Sequence, residues 1–253
     1  MIVRRPKQSH VMNKYSQKGF SLIELAVVLV IIGTLVGSFI GTLGSRIDTS
    51  RLNDTRDQLE EIKIALYGFA MSQANPRLPC PDADNDGQED PAGGGVCAIQ
   101  NTRGGLPWQT LGIPRGDVWG SNFSYWANRL YTGIPPANFI LTTDGTNVGQ
   151  IRTTVNAGGN TISNNVAAVI FSHGKNQYGS TDVSGFARPA VPAGGAYNDE
   201  RENQDVDAVG PVVFVSRAIT DENAPLVFDD IIIWISEYEL KGKMVQAGAL
   251  PRD

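Results

Sequence analysis

Lys18 to Gly44 reads KGFSLIELAVVLVIIGTLVGSFIGTLG, and the rest of the chain is interpreted outward from this stretch. After Lys18 it holds a single charge, Glu24. As a helix, the 25 residues from Phe20 to Gly44 would extend about 38 Å at about 1.5 Å per residue. The hydrocarbon layer of a bilayer is about 30 Å thick, so the segment is long enough to span it. The apolar region of a secretory signal would be only about 7–15 residues and would end at an A-x-A-like site; neither feature is present. Arg4, Arg5, Lys7, Lys14 and Lys18 precede the run, and residues 1–19 contain no acid. That asymmetry puts the N-terminus on the cytoplasmic side and the bulk of the chain outside. The expected organisation is a basic leader over 1–19, a membrane helix over 20–44, an amphipathic continuation over 45–75 and a globular head over 76–253.

Composition fits this division. Of 253 residues, 41% are apolar and 19% charged, enough to bury a core and too apolar for a disordered chain. Beyond Gly19 there remain 16 basic against 26 acidic residues, an acidic balance that argues against nucleic acid as the main partner. With Gly 28 and Pro 14, the chain favours turns and short strands over a helical bundle.

Glu24 is the anomaly in the apolar run. A carboxylate five residues into such a segment costs several kcal/mol unless it reaches the interface or finds a partner, and burial physics alone leaves those two readings level. The residues around it carry a resemblance, however. Lys18-Gly19-Phe20-Ser21-Leu22-Ile23-Glu24-Leu25 resembles the cleavage and methylation signal of type IV pilins and of the pseudopilins of type II secretion. The short basic leader and the apolar span match it too, and the likeness covers residues 14–44. It implies that a prepilin peptidase cuts between Gly19 and Phe20 and N-methylates Phe20. It implies further that Glu24 pairs with the N-terminal amine of a neighbouring subunit, and that the partners are other pilin or pseudopilin subunits and an inner-membrane assembly platform. A buried carboxylate's need for a positive partner agrees with that role. Gly33, Gly37 and Gly41 recur every four residues on one helix face, which lets membrane helices approach closely; glycine is also simply common in such helices. The helix-breaking proline many pilins carry beyond this point is missing, since no Pro occurs between Phe20 and Pro76.

From Arg46 to Ala74 the periodicity becomes one-sided. Leu59, Ile62, Leu66, Phe69 and Ala70 form one apolar stripe at helical spacing, and Asn75-Pro76 closes the helix. Past Pro76 the signals are those of strands: a hairpin of Phe139–Thr143 and Val148–Val155 about Asp144-Gly145, then β-branched runs at Val166–Phe171, Val212–Ser216 and Leu226–Ile235. Ser236-Glu237-Tyr238-Glu239 is a capping box for a last helix reaching about Gln246. The expected fold class is α+β: a long N-terminal helix packed on an antiparallel sheet with extended loops.

The head offers four candidate features. Cys80 and Cys97 are the only cysteines; outside the inner membrane they are expected to pair, and no base suited to activating a thiol stands near them in the sequence. Asp82, Asp84 and Asp86, in D-x-D-x-D-G, space three carboxylates about a glycine turn in the manner of a Ca²⁺ loop. The twelfth position is Gly93 instead of Glu, so Asp90, a carbonyl or water would have to complete the set; a solvated acidic turn is the alternative. Trp108, Trp119, Phe123, Tyr125 and Trp126 could present an adhesion platform or fill a loop-rich core. Pilin-like chains resembling this one pair a Cys-Pro-Asp loop with Leu-Pro-Trp and Trp-Gly segments, here Cys80-Pro81-Asp82, Leu106-Pro107-Trp108 and Trp119-Gly120, which implies a shared head fold. Catalytic signals are thin: no G-x-S-x-G occurs, Ser172-His173-Gly174-Lys175 fits S-x-x-K without its companion motifs, and no enzyme is expected. The function expected is that of a structural subunit, a minor pilin or pseudopilin in an extracellular pilus or a periplasmic pseudopilus. The alternative is a binding module displayed on the filament through its head loops.

Overall fold

The computed structural model describes residues 19–92, 96–99, 103–133, 139–146, 148–204, 211–220 and 223–250, without the side chains of 39–43 and 45. Residues 1–18 of the leader and Gly93 therefore lie outside the described residues. The chain divides into two compact units, Met1–Asp48 and Thr49–Asp253, which are described separately below.

In the first unit the apolar run is helical from Leu22, the start of helix α1 (Leu22–Ser72). Its side chains face solvent all round: Leu22, Ile23, Leu25, Val27 to Ile32, Leu35 and Val36 are at least half exposed. Among the described residues no helix is long and apolar enough to cross a membrane. The expected span has a continuous side-chain description only from Phe20 to Ser38.

The second unit is α+β. Strands β1 (Pro91–Ala92) and β2 (Val96–Cys97) form a small hairpin. Strands β3 (Gly104–Gly105), β4 (Ser124–Ala127), β7 (Val166–Ser172) and β9 (Ile231–Ser236) make an antiparallel sheet in the order β3-β4-β7-β9. A second sheet has the order β6-β5-β8, with β5 (Gly149–Arg152) antiparallel to β6 (Thr161–Ser163) and parallel to β8 (Val212–Val215). Short helices α2 (Trp108–Leu111) and α3 (Asn198–Gln204) lie in the connections, and α4 (Glu237–Gln246) follows β9.

The period-two alternation of strands accounts for the two cores. Tyr125 and Ala127 on β4, Ile170 on β7 and Ile231 and Ile235 on β9 face one core, joined there by Leu59, Ile62, Leu66 and Ala70 of α1 and by Leu240 and Met244 of α4. Their alternates Trp126, Val169 and Phe171 face the other, where Ile151 of β5 and Phe214 of β8 meet them. Strand β7 is buried on both faces, so VAAVIFS reads as an unbroken apolar run. The expected stripe thus lies on the core side, with Phe69 half-buried under the Arg77 guanidinium.

The hairpin expected about Asp144-Gly145 does not form. Ile140 N donates to Thr143 Oγ1 at 2.9 Å and Thr143 N to the Ile140 carbonyl at 3.0 Å, so the threonine captures the backbone in a local turn instead of a ladder. Strand β5 pairs with β6 and β8 instead. The run Leu226–Ile235 is likewise a strand only from Ile231.

Candidate functional site

In the first unit, Ser21 precedes α1 and forms a reciprocal capping box with Glu24. Ser21 N donates to Glu24 Oε2 at 3.0 Å, and Glu24 N donates to Ser21 Oγ at 3.2 Å. The S-x-x-E spacing of Ser21 and Glu24 is the signal for this cap, and it lies at the head of the apolar run. Phe20, just ahead of the cap, is 88% exposed. A Cβ added at Gly19, Gly33 or Gly37 would meet nothing within 4 Å. The fold of this single chain therefore does not require glycine at these positions; the surroundings of Gly41 fall outside the described residues.

Residues 14–40 match the family model of the prokaryotic N-terminal methylation motif. The chain carries a prepilin signal. That signal is shared by type IV pilins and pseudopilins; it is a processing and structural element and brings no catalytic group. No curated protein and no solved structure matches the chain.

Beyond the prepilin signal, the acidic loop of the second unit is held by its own backbone. Cys80 and Cys97 form a disulfide with their Cα atoms 5.3 Å apart. Within the loop it closes, Asp82 is 2% exposed, and its two carboxylate oxygens accept from Asn85 N at 2.6 Å and Gly87 N at 2.7 Å. Burial raises its pKa, and the two N–H bonds offset that only in part. Gly87 has φ +89°, and a Cβ there would lie 2.3 Å from the Trp108 ring, so both the turn and the close approach require glycine. Asp84 and Asp86 accept from Asp86 N and Gln88 N, while Asp90 turns to Ala83 N at 2.5 Å. Glu89 forms a two-pronged pair with Arg77 at 2.7 and 2.6 Å.

Asp82, Asp84 and Asp86 each place one oxygen within 4.8 Å of the others, and Asp90 is outside that group. The donor chemistry suits a hard cation such as Ca²⁺. Asp82 already gives both oxygens, and Asp84 and Asp86 one each, to backbone N–H groups, so the turn is held by its own backbone. Of the aromatic segment, Phe123, Tyr125 and Trp126 are buried in the two cores and form no surface platform; Trp108 and Trp119 are half-buried.

A hydrogen-bond relay that the sequence did not reveal lines a cleft of about 280 Å³. Ser124 Oγ lies 2.8 Å from His173 Nε2, and His173 Nδ1 lies 3.0 Å from the Tyr178 carbonyl. A carbonyl can only accept, so Nδ1 carries the proton and Nε2 accepts from the serine. Burial pushes the imidazole down to about 4, and among the described residues no carboxylate faces it to stabilise an imidazolium. It is a neutral, weak base whose role here is to lock Ser124 to the end of β7. Ser172, its neighbour in sequence, points elsewhere: its hydroxyl donates to Asp117 Oδ2 at 2.6 Å.

Proposed function

We propose that this protein is a pilin-like structural subunit, a minor pilin or pseudopilin. It is made as a precursor, held in the inner membrane by residues 20–44, cut between Gly19 and Phe20, methylated on Phe20 and polymerised through its N-terminal helix. The observation that carries this reading is the prepilin signal leading into a helix with apolar side chains exposed on every face. Such a surface requires lipid or other helices around it. The glycines whose missing Cβ meets nothing in the chain itself support it, because their constraint then comes from the peptidase at Gly19 and from neighbouring helices at Gly33 and Gly37. Glu24 supports it through its geometry: the Oε2 atom caps the helix beside Phe20, where a carboxylate could receive a neighbour's Phe20 amine.

The intact mass of the mature chain tests the reading. It should begin at Phe20 and carry one added methyl, and a bulky residue at Gly19 should leave an uncut, membrane-retained precursor. Assembled filaments whose subunits retain residues 1–19 would refute it. Shearing cells and assaying the released fraction separates an extracellular pilus from a periplasmic pseudopilus.

A further inference from the structure

Two carboxyl groups on separate elements of the second unit meet, each with one buried oxygen left without a hydrogen-bond donor among the described residues. Glu200 on α3 is 1% exposed. Its Oε1 accepts from Asn176 Nδ2 at 2.9 Å and Asp229 N at 3.0 Å. Asp229, just before β9, accepts from Asn176 N through Oδ2 at 2.7 Å. The remaining oxygens, Glu200 Oε2 and Asp229 Oδ1, are buried and have no hydrogen-bond partner among the described residues. Two ionised carboxylates so placed would repel each other and leave two acceptors unsatisfied, each costly in a dry site. One proton held between them removes both penalties.

We propose that Glu200 and Asp229 share a proton that latches α3 and β9 onto the loop His173–Gly179, and that the latch releases as the surroundings pass from mild acid to neutral. The loop is bound tightly to this pair. Asn176 touches both carboxyls, and Gly174, at φ +61°, packs so closely on the Asp229 carbonyl that a Cβ would lie 2.2 Å from it. Its far end supplies Tyr178, whose carbonyl accepts from His173 Nδ1 and from Gln204 Nε2 at 2.5 Å beside the cleft. Loss of the proton therefore acts on the wall of that cleft.

Other charges facing the pair do not cancel it. Asp230 is 4% exposed and adds a third buried carboxyl; Asn203 donates to it at 2.8 Å, and Arg103 faces it with opposite charge. Lys175 contributes its backbone N–H to Asp229. Arg217, beyond the end of β8, is taken by Asp199 of α3 at 2.8 Å, and Arg201 of α3 donates to the Pro192 and Gly194 carbonyls. Burial, then the Glu200 charge, push the Asp229 carboxyl up to about 7. An acid raised in the folded state contributes stability that is complete below its unfolded pKa and is lost as pH rises through the folded value. The latch is thus closed in mild acid and opens through neutrality.

Hydrogen exchange on the full chain in detergent, corrected for the intrinsic rate at each pH, tests this. Opening of the amides at 174–179 should increase about tenfold per pH unit from mild acid up to neutrality, the slope of one proton, and level off above it. Glu200→Gln gives Asp229 Oδ1 a permanent N–H donor and should flatten the profile with the loop protected throughout. If that variant does not fold, Asp229→Asn supplies the same donor from the other side. A flat wild-type profile, or a variant that keeps the slope, overturns the proposal. So does calcium restoring full protection in alkaline buffer, since the bridge would then be a cation and not a proton.

Discussion

The same four-residue device opens two helices of this protein and is used differently in each. At both Ser21–Glu24 and Ser236–Glu239 the serine hydroxyl accepts the N–H of the glutamate three residues on, at 3.2 Å. At α1 the glutamate folds back, and Glu24 Oε2 accepts from Ser21 N. At α4 it reaches away: Glu239 Oε1 pairs with Lys63 of α1 at 2.8 Å. At α4 the carboxylate takes a nearby cation; at α1, among apolar side chains, it returns to its own backbone. A capping box thus parks a carboxylate safely until a stronger partner arrives. In the proposed assembly that partner is the amine of the next subunit.

The sharpest test separates capping from charge at Glu24. Glu24→Ala removes both, whereas Glu24→Gln keeps a residue competent to close the box. Both variants should be cut after Gly19 and methylated, and both should remain monomeric in the inner membrane. Removing one partner of a pair in an apolar layer costs about 3–5 kcal/mol. If Glu24→Gln enters filaments like the wild type, its only work is the cap, and the two boxes are equivalent.

The acidic loop extends the comparison, because Asp82, Asp84 and Asp86 also fold back on their own backbone. If they too await an outside positive charge, calcium should raise the melting temperature. The gain is about 2.7 kcal/mol at a hundredfold excess over Kd, and Asp84→Ala should abolish it. Identical melting curves in calcium and in chelator would show a turn complete in itself.

A smaller effect is expected from the caps. Ser236→Ala should cost the second unit about 1 kcal/mol in thermal melting, the usual value of an N-cap. Ser21→Ala should leave that melting transition unmoved. A shift of the head transition by Ser21→Ala would break the separation of roles drawn here.

Lys63→Ala should be the mildest. The pair is partly exposed to solvent, with Glu239 at 37%, so its worth is at most about 1 kcal/mol. Burial alone would raise the Glu239 carboxyl, but Lys63 and Tyr67 outweigh it and hold it below its ordinary range. The pair therefore stabilises above that range and is lost as pH falls through the folded value. Melting curves of Lys63→Ala in acid should converge on the wild type; a constant offset at all pH values would mean lost packing of the lysine stem instead.

Local signals in this sequence were legible where one short-range force decides. The stripe at Leu59, Ile62 and Leu66, the strand at Val166–Ser172 and the cap at Ser236 all follow from periodicity or from a bond three residues long. What the sequence concealed are meetings across long separations. Ser124 finds His173 because β4 pairs with β7, and Glu200 finds Asp229 because α3 lies against the approach to β9. Beside the local turn that replaces the hairpin expected at Asp144, Gly145 N donates to Glu237 Oε2 at 2.9 Å, a partner 92 residues away that no turn rule anticipates.

The pairing of β5 with β8 has a consequence for how the chain acquires its structure. These strands run parallel with the whole segment from Thr153 to Pro211 between them, and β7 is completed only by β9 near the C-terminus. Contacts so distant in sequence bring a large loop-closure cost before they bring any gain, which slows folding. Neither sheet can close while the last third of the chain is still being delivered. Until then Trp126, Phe171 and Ile151 have no Phe214 to pack against. A nascent chain would expose that apolar surface throughout its synthesis, and a chaperone that shields such surfaces would be most needed in the interval before Ile231–Ser236 arrives.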